Sequence, residues 1–401
     1  MASVTEKRRE MCVRAAKFRR SLLPYGRGRA GSIVLSVSRR TLALDSRFAA
    51  IRMCYDVRIP TQEAPIVTLQ EEFDRLTKFI QGNMKNKFAG WKVMRDRFLN
   101  HFGGTADSAA SIDRANAYYA QLVEAKFPGE EFAKPNGRLT PVHPRLRERF
   151  GRTVALLRAK GVAPGALSRL RSVGGFQIRE NANNANELSE HSFGCAVDLD
   201  PELNPNIKKK MLPVSIIKHL TGLDPYGEHS EGLRVAAPFD ALLAHARALT
   251  AASQDLVRAF SSSDALRASL HKTLNEQFDA TASLGDLAEL EGLVRSPTDS
   301  KQKVIAKLTT LGVPHSLIAD AELLLRDCFG LLTKRQQEAA PRVQGTAASV
   351  AAFGFVNLPP ELIAAMIAAD GGGLNWLGSS RGTKDFMHFE LRTGDKPPMH
   401  G

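Results

Sequence analysis

Apolar residues recur at helical spacing through much of the chain. Leu69, Phe73, Leu76 and Ile80 form one stripe, opened by Thr68-Leu69-Gln70-Glu71 in the form of a capping box. Trp91, Met94 and Phe98 form a second, and Ile112, Ala115, Tyr119 and Leu122 a third that ends at Phe127-Pro128-Gly129. A further helix is predicted from Pro144 through Leu146, Phe150, Val154 and Leu157, with Gly161 as its stop. The texture then changes. Leu167–Ile178 is short, β-compatible and broken by Gly174-Gly175, while Cys195–Leu199 and Phe386–Leu391 alternate like strands. Between these two lies a helix-rich stretch, with a stripe at Leu266, Leu270, Leu274 and Phe278, a dense apolar run from Ile318 to Leu332, and a helix-starting linker at Ser261-Ser262-Ser263-Asp264. Stripes of this kind are core packing.

This pattern predicts a small α+β unit whose sequence is split. A basic, loosely structured region covers 1–60 and a helical region covers 61–135. The core would occupy 136–202 and 346–401, divided by a helical insertion over 203–345.

Bulk composition narrows the class. With 401 residues, 43% hydrophobic and 24% charged, the chain has ordinary globular values and room for more than one core. No run of 18 apolar residues is present, so no membrane-spanning helix is expected. Cys12, Cys54, Cys195 and Cys328 are far apart, which fits neither a disulfide framework nor a cysteine zinc site. The net charge is +13, and residues 1–40 hold eleven Lys or Arg against two Glu. Such an arm suits an anionic polymer, a secretion address or plain solvation. No nucleic-acid motif accompanies it, and nucleic acid ranks last among the expected partners. The short half-polar run Ser32–Ser38, followed by Arg39-Arg40, does not make an ordinary export signal.

The chemistry concentrates in two places. Ser189-Glu190-His191-Ser192-Phe193-Gly194-Cys195-Ala196-Val197-Asp198 holds a histidine and, seven residues on, an aspartate in a predicted strand. These supply two of the three N or O ligands of a hydrolytic zinc site if the chain turns at Gly194. Asp385-Phe386-Met387-His388-Phe389-Glu390 adds a distant histidine with a carboxylate three residues earlier. On a regular strand Asp385 and His388 would face opposite ways, so a shared site requires the backbone to break between them.

Ser-x-His-x-x-Gly-x-Ala-x-Asp followed by Asp-x-x-His resembles the signature of the D-alanyl-D-alanine carboxypeptidase family of zinc peptidases. That family includes VanY-like carboxypeptidases and phage L-alanyl-D-glutamate endopeptidases, and it shares a core with hedgehog domains. Gly174-Gly175-Phe176-Gln177-Ile178-Arg179 is similar to the stretch that precedes its first ligand, and Gly378–Glu390, with Trp376 nearby, to its C-terminal end. The matching segments cover about a fifth of the chain, so the likeness concerns the site and not residues 1–135 or 203–345.

The resemblance implies a small antiparallel-sheet, hedgehog-like zinc peptidase core with one Zn2+ per chain held by His191, Asp198 and His388. Asp385 would be the general base and Arg179 would steady the oxyanion. Ser189 and Glu390 would orient ligands, and Cys195 would be a small buried side chain. The implied activity is zinc-dependent hydrolysis of peptidoglycan stem peptides. Asp as the base favours L-Ala-D-Glu endopeptidase over D-Ala-D-Ala carboxypeptidase action. Without an ordinary signal peptide, the expected setting is a secreted antibacterial effector or a lysin. It would be made in the cytoplasm and act in the periplasm or cell wall, with a secretion apparatus or an immunity protein as a further partner. The alternative is a non-catalytic hedgehog-like zinc module that binds cell wall or a protein.

Overall fold

The computed structural model describes residues 91–103, 109–127, 136–337 (except 169, 182, 183, 210, 297 and 299) and 346–395, with isolated positions between 71 and 82. All of these belong to one compact unit, Pro65–Gly401. The capping box at Thr68, the stripe from Leu69 to Ile80, the basic arm, Cys12 and Cys54 lie outside the described residues.

The architecture is mixed α+β with small, mainly antiparallel sheets. Of the elements described end to end, the helices α1 (Trp91–His101) and α2 (Ala109–Ala120) lead, then strand β1 (Asn136–Arg138) and helix α3 (Pro144–Ala159). Helix α3 begins at the expected proline, buries Leu146, Phe150 and Leu157, and gives way to Gly161 at φ +67°. Five short strands follow: β2 (Ser172–Gly174), β3 (Glu180–Asn181), β4 (Asn184–Leu188), β5 (Ala196–Leu199) and β6 (Asn206–Lys208). The helical block comprises α4 (Leu212–Thr221), α5 (Glu228–Gly232), α6 (Phe239–Ala259), α7 (Ser263–Gln277), α8 (Leu284–Arg295), α9 (Ser300–Thr310) and α10 (Ile318–Gln337). The Ser262 side chain caps α7, accepting from the Ala265 amide, and Leu266, Leu270, Leu274 and Phe278 are buried as their spacing predicts. Two more helices, α11 (Ala347–Phe353) and α12 (Pro360–Ile367), precede β7 (Asn375–Trp376), β8 (Thr383–Asp385) and β9 (His388–Glu390). Helix α12 is apolar on every side because α3 and α6 enclose it; Leu362 to Ile367 are all buried. No described helix is long and apolar enough to cross a membrane.

The main sheet has the order β1-β2-β5-β9-β7, parallel between β1 and β2 and antiparallel elsewhere. Its centre joins the two distant motifs, since β5 pairs with β9 in a register that sets Asp198 opposite His388. Two short ribbons, β3-β4 and β6-β8, flank it. The second ribbon moves a boundary. Asn206–Lys208, expected inside the helical insertion, pairs with Thr383–Asp385, so the sheet-forming part runs to Lys208. Lysines at 208 and 209 hide that strand from a hydropathy pattern.

Strand β8 has one unusual side chain. Lys384 is 2% exposed, its ammonium donates to Ser230 Oγ on α5, and it lies 4.6 Å from the centre of the Tyr226 ring. Burial, reinforced by Arg234, lowers its pKa to about 8. The unfolded chain therefore holds this proton more tightly than the folded one, and stability rises with pH between the two pKa values. Lys384→Met removes that dependence. Denaturant midpoints of the wild type should gain on those of Lys384→Met as pH rises from about 8 towards 10.5.

Candidate metal centre

His191 lies on a single 3-10 turn, Glu190–Phe193, that ends at Gly194 in the left-handed conformation (φ 65°) and leads into β5. The turn needs glycine twice over. A Cβ at Gly194 would lie 2.9 Å from the His143 amide nitrogen, and φ is positive. Upstream, a Cβ at Gly175 would lie 2.1 Å from the Leu139 carbonyl oxygen. That close approach lets Gly175 turn its own carbonyl to His191 Nδ1, 2.7 Å away.

Three donor atoms converge. His191 Nε2 and His388 Nδ1 are 3.2 Å apart, and Asp198 Oδ1 lies 3.1 Å from the first and 2.9 Å from the second. Both histidines are buried. The hydrogen bonds behind the rings decide which atoms face inward. A carbonyl can only accept, so Gly175 O fixes the proton of a neutral His191 on Nδ1 and leaves Nε2 with a lone pair. Glu390 Oε2, 3.4 Å from His388 Nε2, does the same for the second ring and leaves its Nδ1 bare. Three lone pairs then meet at one point, an arrangement that repels unless positive charge sits among them.

The ionisation of the site carries the same signature. Burial pulls the His388 pKa down, but the hydrogen bonds to Asp198 and Glu390 outweigh it and push it up to about 10. Burial would raise Asp198, yet the charges and hydrogen bonds of His191 and His388 hold its carboxyl well below the usual range. A proton on His388 and a divalent cation answer the same demand. The geometry fits the cation: tetrahedral donors about 2.0–2.1 Å from a metal lie about 3.3 Å from one another, close to the separations found here. The buried His-Asp-His triad is thus a site able to bind a metal ion, and it is the only such cluster of three or more among the described residues.

Asp385 stands beside the triad. It ends β8, and the chain breaks at Phe386-Met387 before β9 begins at His388, which resolves the facing problem posed by their spacing. Asn206 on β6 donates to its Oδ2 at 3.3 Å, while its buried Oδ1 has no hydrogen-bond partner. Burial, with the charge of Asp198 added, raises the Asp385 pKa against the opposing pull of His388, Asn206 and His191. Arg179 is also at the site, its Nη2 3.5 Å from Asp198 Oδ2 and its side chain partly exposed.

The remaining expectations divide. Glu390 meets His388, as proposed for a ligand-orienting group, and is itself held by Asn375 Nδ2 at 3.0 Å. Ser189 holds the turn only through its backbone: its amide donates to Arg179 O, its carbonyl accepts from the Ser192 amide, and its side chain makes no cap hydrogen bond. Orientation comes instead from Gly175 and Ser192. Ser192 Oγ accepts from the Arg179 amide at 3.0 Å, placing the arginine beside the first ligand. The glycine pair hinted at the first of these; Ser192, at a variable position of the motif, gave no signal. Cys195 is a small buried side chain, as expected, with its Sγ 3.6 Å from the Tyr118 hydroxyl.

Titration of the full chain with Zn2+ should reveal one site per chain, abolished in His191→Ala and His388→Ala and kept in Asp385→Asn. Because the metal displaces the proton from His388, affinity should fall about tenfold per pH unit from pH 9 to 7, measurable by calorimetry in buffers of different ionisation heat.

A scan against models of known protein families matches none, and neither a curated protein nor a solved structure matches the chain, so a functional reading stands on the site itself.

Proposed function

We propose that the chain is a zinc peptidase of the D-alanyl-D-alanine carboxypeptidase type, with a hedgehog-like core, that hydrolyses peptidoglycan stem peptides. The observation that carries this reading is the pairing of a three-lone-pair metal cradle with a carboxylate, Asp385, whose buried Oδ1 has no partner. A site that only bound metal would not need that second, unsatisfied carboxylate. The motif resemblance supports the substrate class, and Asp as the base favours the L-Ala-D-Glu bond.

His191, Asp198 and His388 would hold zinc, which when bound supplies Lewis acidity and a water of pKa about 7. The donor set of two imidazoles and one carboxylate suits that ion. Asp385 takes the proton from the attacking water at Oδ1 and delivers it to the leaving amine, while Asn206 fixes the carboxylate through Oδ2. Arg179, anchored by Ser192 and near Asp198, offers its guanidinium to the oxyanion. Gly175 and Glu390 keep both ligand rings in the productive tautomer. An enzyme of this kind would reach the wall by lysis or through a dedicated secretion machine.

The test is incubation with stem-peptide fragments of defined length, with and without chelator, and product identification by mass. Cleavage between L-Ala and D-Glu should vanish with chelator and return with zinc. Asp385→Asn should retain the metal and lose about 10²–10⁴-fold in rate. Metal-loaded wild type that leaves every fragment intact would refute the peptidase reading.

A further inference from the structure

The turn carrying His191 ends in carbonyl oxygens that its own backbone does not fully satisfy, the usual condition of a short helical turn. The His191 carbonyl accepts from the Gly194 and Gln177 amides, each at 3.2 Å. The next two are met from a distant part of the chain. Tyr119 on α2 donates its hydroxyl to Ser192 O at 3.0 Å, and Tyr118 donates to Phe193 O at 2.7 Å. Consecutive residues of one helix thus cap consecutive carbonyls of the turn. The His101 ring at the end of α1 stacks on Phe193 with centroids 4.2 Å apart, and Arg97 of α1 pairs with Glu180 on β3. Burial raises the pKa of both tyrosines, so each remains an O–H donor over the working pH range.

We infer that Tyr118 and Tyr119 are positioning residues for the metal ligand His191, and that helices α1 and α2, outside the segments that resemble the peptidase family, form part of the metal centre. The chain of contact is short. Each hydroxyl fixes a peptide plane of the four-residue turn, and the turn fixes the direction of the imidazole. Beyond the Gly175 hydrogen bond, the aim of the His191 ring is set by the backbone of the turn that carries it. Groups that orient ligands through one intermediary commonly change metal affinity ten- to a hundredfold.

This inference rests on His191, Asp198 and His388 binding a metal, and the experiment separates the two ideas. The full chain would be titrated with Co2+, reading both affinity and the visible d–d absorption of a four-coordinate site. Wild type, Tyr118→Phe, Tyr119→Phe and the double variant would be compared, each checked for folding by circular dichroism. Ser253→Ala serves as a destabilised control, because Ser253 Oγ on α6 accepts the buried Phe355 and Val356 amides and contributes nothing to the site. The expected result is Co2+ binding weakened about ten- to a hundredfold in the double variant, with a shifted d–d band and smaller effects in the single variants, while Ser253→Ala keeps the wild-type affinity and spectrum. Unchanged affinity and spectrum in the folded tyrosine variants would overturn the inference alone. Equal weakening in Ser253→Ala would reduce the effect to general destabilisation and overturn it too. Absence of Co2+ binding by the wild type would overturn the metal site itself.

Discussion

The pairing of β5 with β9 is the constraint on which the rest depends. It joins residues 196–199 to 388–390 across nearly two hundred positions and sets Asp198 directly opposite His388. Side chains alternate along a strand, so a slip of one residue would send one ligand to the far face and abolish the cradle. The register is held from both sides. Trp376 on β7 stacks on Phe389, and its indole donates to Phe386 O at 3.0 Å; the Leu199 amide reaches across to Met387 O at 2.9 Å. These contacts work against the repulsion of three lone pairs brought within hydrogen-bonding distance, which would otherwise push the strands apart.

Local pattern made some of this visible and concealed the rest. Helix α3 announced itself through Pro144 and its stripe, and α7 through Ser262, because both signals lie within a single helical span. The donors were legible for a different reason, since His, Asp and His at fixed offsets are uncommon and carry their chemistry with them. Strand β6 was not legible. Its buried Ile207 sits beside exposed lysines, and only the pairing with β8 makes it a strand. Tyr119 read as one more apolar position in a stripe. Its ring does border the core, but its hydroxyl answers a carbonyl 73 residues away, which no periodicity encodes. Ser189 looked like the orienting serine because it opens the motif, whereas the geometry of the turn gives that work to Gly175 and Ser192.

Insertions placed between two halves of a sheet are often free appendages, but this one is tied to β8. Lys384 and Asp385 are neighbours on β8 and point to opposite faces. Asp385 meets Asn206 and feels the charges of His388, Asp198 and His191, while Lys384 reaches Ser230 and Tyr226 at the start of the helical block. The Tyr226 hydroxyl in turn shares its proton between Ile207 O at 2.9 Å and Gly382 O at 3.0 Å, binding the same block to β6 and to the residue just before β8. The strand that carries Asp385 is therefore braced by the helical block, as the turn that carries His191 is braced by α1 and α2.

Two carboxylates 187 positions apart meet at this site and are driven in opposite directions. The two imidazoles beside it hold Asp198 strongly ionised against its burial, the state in which it can ligate a cation. Asp385 is buried, keeps one oxygen without a donor, and has its pKa raised, the state suited to taking up a proton. A buried acceptor left unsatisfied costs about 1–3 kcal/mol, and a fold has no structural reason to keep one where Asn206 already meets its neighbour oxygen. Environments that separate the pKa values of adjacent acids also separate their roles. The opposite ionisation of the two carboxylates thus arises from the groups around each, and it is the difference that the proposed division between ligand and base requires.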